Sequence, residues 1–527
     1  MSSACPPVWE IILTNIQLHE FDVRPPTGEA LFEPITFSFE QKFYALTGSN
    51  GAGKSLLLAA MAQRIDCHQG LLTWHQAWHY LPQWAISQAD SVQQALMAGN
   101  PRLAAHITAL ERLQSGTGTP EDIVTIDDDW GLLERLNDAM PSGQNIADNW
   151  RHLSGGERMQ NVLAVLMSLP AFLLLDEPAN HLDLVHRQQL IQALQRHSFG
   201  ALVVTHDPLL LAQADVILHL DRSGLNYFSQ GFDAYQRELH SQSQQQLEQS
   251  LQWKKRQQQL KKMRQQALEK SQQRASRGKQ QVRDGSQGKA LADFRARRAS
   301  QALGQLNRRY SQRQQQLEQN KVLEPSKLGN RLYTQPSECR DSVWLSQVLL
   351  PNVQQLPITL SLEPGRRIWL RGNNGSGKST LLECIAGVKQ FSAGEWRLPK
   401  HTLLLDQYAS LLPHNVSVID FLQCALTQYE TAELYTLLAG IGIDFQRAQL
   451  DVCHLSGGEK MKLTLLLTHE KDSVLLLDEP DNHLDLVSQN DLIDWLNQLG
   501  HAFIIVTHNE YLASKIERLE AFTLMTQ

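Results

Sequence analysis

Gly48-Ser49-Asn50-Gly51-Ala52-Gly53-Lys54-Ser55 decides the fold, and Gly372-Asn373-Asn374-Gly375-Ser376-Gly377-Lys378-Ser379-Thr380 states it a second time. Glycines let the backbone curl until successive N–H groups face one point, and the opening of a helix adds the positive end of its dipole, so such a loop cradles phosphates. An apolar stretch leads into each loop (Tyr44 to Thr47; Ile368 to Leu370) and a Leu/Ala-rich stretch leaves it (Leu56 to Arg64; Leu381 to Gly387). In this strand–loop–helix setting Lys54 and Lys378 reach the β- and γ-phosphates of a nucleotide, and Ser55 and Ser379 hold Mg²⁺. The expected fold class is therefore α/β, with one phosphate-loop domain in each half of the chain.

Further motifs repeat in the same order. Phe172 to Leu175 and Val474 to Leu477 read as strands buried in a parallel sheet. Asp176 and Asp478 end them, where such strands present ligand groups, and are expected in the Mg²⁺ shell. Glu177 and Glu479 follow and are expected to polarise the attacking water of an in-line phosphoryl transfer. His206 and His508 come 29 residues after each Glu, at the ends of the apolar strands Ala201 to Val204 and Phe503 to Val506, and read as γ-phosphate sensors. Gln83 and Gln407, each after a strand, are candidate ligands of the metal and the water. Ser154-Gly155-Gly156 and Ser456-Gly457-Gly458 each open a helix, where a hydroxyl and bare N–H groups bind anions. Each lies too far along its own domain to close on its own nucleotide, so the halves are expected to pair head to tail, one half's Ser-Gly-Gly over the other's phosphate loop.

The offsets between copies locate what was inserted. Lys54 to Lys378 and Gln83 to Gln407 are 324 residues apart, whereas Ser154 to Ser456, Asp176 to Asp478 and His206 to His508 are 302 apart. The first half thus carries 22 extra residues, expected within about 100–144 as a small helical hairpin of Leu103 to Leu113 and Trp130 to Met140, or as a lengthened loop.

Between the halves runs a Gln-, Lys- and Arg-rich segment of helix formers. Residues 241–320 hold 18 Lys and Arg against 5 Asp and Glu, a local charge of +13, while the whole chain of 527 residues carries −7. Trp253, Leu260, Met263 and Ala267, and then Leu303, Leu306, Tyr310 and Leu317, have the spacing of a two-helix seam. Gly278, Gly285 and Gly288 are expected to stop the first helix, giving a long antiparallel hairpin with a basic tip near Arg274 to Arg298. The domains are then 1–234, a linker 235–330, and 331–527. An acidic body with one cationic projection suits a local contact with a polyanion. The six cysteines show no Cys-x-x-Cys spacing, which argues against zinc, iron–sulfur clusters and a secreted disulfide framework. No signal peptide and no apolar run of membrane length is visible, so a cytoplasmic protein is expected.

Together these elements resemble the ATP-binding cassette ATPases, in both halves. Asp176-Glu177-Pro178-Ala179-Asn180-His181-Leu182-Asp183 and Asp478-Glu479-Pro480-Asp481-Asn482-His483-Leu484-Asp485 are similar to the Asp-Glu-Pro-Thr-Asn-His-Leu-Asp of the ABC-F family. That resemblance implies a soluble monomer whose two cassettes close on ATP. It implies a ribosome partner, with the charged linker entering from the exit site toward the peptidyl-tRNA, and release on hydrolysis. Members act as translation factors or protect ribosomes from antibiotics. Ala179 and Asp481 replace the family's Thr, the insertion is short for the family's arm subdomain, and Phe21 is the candidate to stack on adenine in the first half. Two other readings stay open: the ATPase pair of a membrane transporter, and a DNA-repair or chromosome ATPase. The +13 segment favours the ribosome.

Overall fold

The computed structural model describes residues 16–283 and 342–525, apart from 26–27, 29, 127–128, 142–143, 154, 181, 352–354, 374, 406–411, 414, 456, 468–472 and 483, together with residue 308. The chain divides into two units, Met1–Tyr235 with Lys327–Gln527, and Gln236–Ser326.

In the first half, β1 (Ile16–Val23) pairs antiparallel with β2 (Ile35–Phe39) and β4 (His68–Trp74). A six-stranded sheet lies beside it, in the order β5 (Trp78–Leu81), β6 (Phe172–Asp176), β7 (Ala201–Val204), β3 (Phe43–Thr47), β8 (Val216–Asp221) and β9 (Gly224–Phe228). Its strands are parallel except for the β8–β9 hairpin. Side chains alternate faces along a strand. Leu174 of β6 therefore joins the core built from the antiparallel sheet and the helix Lys54–Met61. Leu173 and Leu175 join the opposite core, with the helices Val92–Gly99, Gly155–Ser168 and Leu184–Arg196. Burial on both faces is why β6 reads as an unbroken apolar run.

The second half repeats this plan. An antiparallel sheet holds β10 (Val343–Leu349) between β11 (Ile358–Leu362) and β13 (Ala393–Arg397). A parallel sheet runs β14 (Thr402–Leu405), β15 (Val474–Asp478), β16 (Phe503–Val506), β12 (Arg367–Arg371), β17 (Leu519–Thr523). Its helical part forms a core of its own, from Leu412 through Val418, Leu434 and Val452 to Leu466.

The extra length of the first half is helical. Pro101–Gln114 and Pro120–Ile126 pack on each other, and Leu132–Asp138 follows at the position of Thr431–Gly440 in the second half, 302 residues on. The stretch between the two expected helices, 114–129, thus contains a further helix. Pro120 opens it, its missing N–H costing nothing there, and Glu121 and Asp122 in the first turn favour the helix dipole.

A helix runs Phe232–Arg283, 52 residues. Gly278 does not interrupt it, against the expectation of a break near Ala275 to Lys279. A lone glycine costs a helix only about 1 kcal/mol, and the surrounding Gln, Arg and Lys are good helix formers. Met263 on its supposed seam is 54 % exposed. The other two glycines, the basic tip beyond Arg283 and Leu303, Leu306, Tyr310 and Leu317 lie outside the described residues, and with them the returning helix of the hairpin. No helix among the described residues is long and apolar enough to cross a membrane.

Candidate active site

The parallel register gathers the chemistry at one sheet end. Leu46 and Asp176 both pair with Val204, so Thr47, the loop after it, Asp176 and Thr205 share the carboxyl edge of the sheet. Leu81 pairs with Leu175, which carries Gln83, exposed in the turn beyond, alongside the Asp176-Glu177 step. In the second half Leu370 pairs with Val506, as does Asp478.

Gly48 must be glycine. Its φ is +149°, and a Cβ there would stand 2.2 Å from the Leu220 carbonyl oxygen. Gly53, at φ +95°, turns the chain into the helix Lys54–Met61, and Gly377, at +89°, does the same before Lys378–Ile385. The loops wrap their lysines. Lys54 Nζ donates to the carbonyls of Gly48 (2.8 Å) and Ser49 (3.0 Å), and Lys378 Nζ to those of Gly372 (2.8 Å) and Asn373 (3.0 Å). Burial lowers both ammonium pKa values, opposed by nearby acids: Glu177, Asp485 and Asp176 around Lys54, and Glu479, Asp478 and Asp183 around Lys378.

Ser55 Oγ donates to Asp176 Oδ1 at 3.1 Å. A hydroxyl beside a carboxylate, both hard oxygen donors, is the ligand set Mg²⁺ takes beside a phosphate. Desolvation raises the Asp176 pKa against that hydrogen bond and Lys54. The donor set therefore fits the metal expected from the sequence.

Glu177 and Glu479 sit in left-handed backbone, at φ +51° and +49°. For a residue with a Cβ this is strained, and the strain falls on the two acids next to the metal candidates. Each faces its histidine: His206 Nε2 to Glu177 Oε1 is 3.8 Å, and His508 Nε2 to Glu479 Oε1 is 3.7 Å. Both Nε2 atoms are buried without a hydrogen-bond partner. Burial, with Lys54 adding to it, pushes the His206 pKa down to about 3, so the ring is neutral. His508 is pushed down to about 3 by burial, then Lys378 and Arg187. Burial and Asp176 push the Glu177 carboxyl up to about 8, and burial and Asp478 raise Glu479. Asn482 Nδ2 donates to Glu479 Oε2 at 2.5 Å, while the matching Asn180 Nδ2 is buried without a partner.

The two halves meet here. The Asn50 N–H of the first phosphate loop donates to Asp485 Oδ2 of the second half at 3.2 Å, and Asp485 Oδ1 caps its own helix through the Ser488 N–H at 2.8 Å. Arg187 Nη1 donates to the His508 carbonyl at 3.2 Å, and Gln489 Nε2 reaches the His206 carbonyl at 3.4 Å. A small cleft of about 40 Å³ lies between the halves, lined on one side by Glu177, Arg187 and His206 and on the other by Asp481, Gln489 and Asn509.

Gly155 and Gly156, like Gly457 and Gly458, open helices, Gly155–Ser168 and Gly457–Leu467. Ser154, Asn374, Gln407 and Ser456 lie outside the described residues. Phe21 is not an adenine platform. It is fully buried, its ring stacked on His68 at 4.9 Å, and Val348 takes the matching place on β10. A β-bulge in each strand turns that position into the core. Asp481, where the family motif has Thr, faces the cleft, where burial raises its pKa and Thr507 and Arg187 oppose the rise. Arg187, Gln489 and Asn509 went unread in the sequence, and Asp485 entered only as the end of its motif. Arg187 and Gln489 keep the 302-residue offset but differ in type, so a search for identical repeats passes over them.

The model of the family described as ABC transporter matches residues 32–180 and 356–482. A Bacillus subtilis protein described as an uncharacterized ABC transporter ATP-binding protein, YfmM, is 25% identical over 521 residues, covering 91% of this chain and 92% of its own. The ABC transporter F family member 4 of Arabidopsis thaliana is 25% identical over 544 residues, 95% of this chain and 72% of its own. The ribosome protection protein VmlR of Bacillus subtilis is 26% identical over 404 residues, 72% of this chain and 71% of its own. Among solved structures, the archaeal ribosome recycling factor aABCE1 in complex with the ribosomal stalk protein aP1 superposes with a TM-score of 0.53 at 17% identity. It covers 96% of this chain and 90% of that one.

Proposed function

Since this chain belongs to the ATP-binding cassette family, with relatives in its tandem ABC-F branch, we propose that it is a ribosome-associated ATPase whose two cassettes close on ATP and thereby set the position of the cationic linker. Cassette domains of this family are ATPases. ATP and Mg²⁺ bind twice, each time at a phosphate loop of one half with the Ser-Gly-Gly of the other. Lys54 and Lys378 meet the phosphates, and the Gly48 to Gly53 and Gly372 to Gly377 loops supply N–H donors. Ser55, Asp176 and Gln83, and Ser379, Asp478 and Gln407, hold the metal, which neutralises charge on the transferred phosphoryl group. Glu177 and Glu479 orient the water. His206 and His508, neutral at pH 7 and with Nε2 partnerless, sense the γ-phosphate.

The observation that carries this reading is the contact of Asn50 with Asp485. An N–H of one half's phosphate loop already meets an anion of the other half, so nucleotide at that loop lies at the seam. The ribosome as partner, with ribosomal RNA and peptidyl-tRNA as its anionic surfaces, rests on the +13 segment and on VmlR. Translation regulation and protection against an antibiotic are the two outcomes such a linker would serve, and a cytoplasmic location follows from that partner. The test is E177Q combined with E479Q. ATP turnover is expected to vanish while ATP stays bound and the protein sediments with ribosomes. Undiminished turnover would remove the role of the glutamates. Recovery with membranes rather than ribosomes would favour the ATPase subunit of a transporter.

A further inference from the structure

Two side chains cross the seam in opposite directions, and together they close a circuit. Arg187 sits on the helix Leu184–Arg196, and its 302-residue counterpart Gln489 on the helix Leu486–Gln498. Both are buried, 8 % and 3 % exposed. Both first fix their own half: Arg187 Nε donates to the Leu182 carbonyl at 2.9 Å, and Gln489 Nε2 to the Leu484 carbonyl at 3.1 Å. Both then reach the backbone carbonyl of the other half's histidine, His508 and His206 respectively. Each also holds the residue just after its own half's histidine. Arg187 Nη1 is ion-paired with Asp207 Oδ2 at 3.0 Å, and Asn509 Nδ2 donates to Gln489 Oε1 at 3.2 Å. From His206-Asp207 the path runs to Arg187, to His508-Asn509, to Gln489, and back to His206.

The two limbs differ in chemistry. Arg187 lies between Asp207 of its own half and Asp481 across the cleft, so one limb is ionic. At the matching places stand Gln489, Asn509 and Ala179, and that limb is neutral. Asp481, at the place of Ala179 in the first half, supplies a second carboxyl group that faces the buried guanidinium. An arginine in fixed hydrogen bonds to two carbonyls, with acids on either side, holds one geometry.

We propose that Arg187 and Gln489 are positioning residues that couple the two ATP sites, each transmitting the position of one switch histidine to the other through this circuit. The proposal rests on the reading of both halves as ATP sites. Neither side chain touches the reacting groups; each moves a histidine by moving its carbonyl. When ATP draws His206 into place, Asp207 carries Arg187 with it, and the His508 carbonyl follows.

The test measures ATP binding by calorimetry with Mg²⁺ in the E177Q and E479Q background, where turnover does not interfere. Two unequal affinities are expected, the second on the order of 5–150-fold tighter than the first. Adding R187A and Q489A should bring that ratio to about 1. Because R187A leaves buried acids unpaired, a second variant guards against simple misfolding. R187Q with D207N and D481A copies the neutral limb and should retain unequal affinities, a rescue that loss of bulk structure could not give. An undiminished ratio in the R187A and Q489A protein, or equal affinities before these changes, would overturn the coupling. Absence of any ATP binding in the background protein would instead sink the nucleotide reading itself.

Discussion

Glu177 gives the sharpest quantitative expectation. Its carboxyl is pushed up to about 8 by burial and the adjacent Asp176, from an ordinary value of 4.5. In nucleotide-free protein the folded chain therefore keeps a proton that the unfolded chain releases. Between those two pH values the native state binds more protons, so stability falls as pH rises, by at most about 1.4 kcal/mol per pH unit. Across the whole window the ceiling is roughly 5 kcal/mol. E177Q places an uncharged amide where the protonated acid stood and removes this titration. The expected result is near-equal urea unfolding free energies at pH 5, and a variant more stable than wild type by a few kcal/mol at pH 8. His206 works with the opposite sign. Its pKa is lowered to about 3, so the unfolded chain binds the extra proton below 6.5 and stability is lost as pH falls through that range. Both proteins share that limb, and it cancels in the comparison. A difference between E177Q and wild type that stays constant from pH 5 to 8 would refute a buried, protonated Glu177.

Two further outcomes test other parts of the molecule. Neutralising Lys279, Arg283, Lys289, Arg295 and Arg297 should weaken ribosome binding and flatten its salt dependence; if about six linker cations meet RNA phosphates, wild-type affinity falls on the order of 10³-fold between 50 and 200 mM salt. An unaltered slope in co-sedimentation would speak against RNA contact there. Gly48→Ala drives a methyl group into the Leu220 carbonyl at 2.2 Å and should cost on the order of 3 kcal/mol in urea unfolding, with ATP binding at that loop abolished; a loss of under about 0.5 kcal/mol would mean the loop relaxes freely.

The duplicated motifs made the sheets legible, because β3, β6 and β7, and β15 and β16 in the second half, are buried on both faces and so read as continuous apolar runs. Phosphate-loop glycines were legible for the same kind of reason: backbone geometry that only glycine meets leaves a trace in residue type. Phe21 was misread because its place depends on a bulge in β1, which shifts side-chain direction by an amount no alternation pattern records. The helix Pro120–Ile126 was passed over because its stabilisation comes from packing on Pro101–Gln114 rather than from an apolar stripe of its own. Gly278 was overweighted, since a long helix of strong formers absorbs one weak residue. The seam residues were hidden for a deeper reason. Arg187 and Asp207 face Gln489 and Asn509 as alternative solutions to one packing problem, and pairs that change together look unrelated when each position is compared singly.

Among the described residues, the helices Pro101–Gln114 and Pro120–Ile126 have no counterparts in the second half. A body made of two like halves could be rotated by half a turn and offer nearly the same outline to whatever it meets. This addition makes the two halves unlike, and Val124, 79 % exposed on Pro120–Ile126, marks the first half as distinct. A receptor that reads both halves can tell one from the other and accept the chain in a single sense.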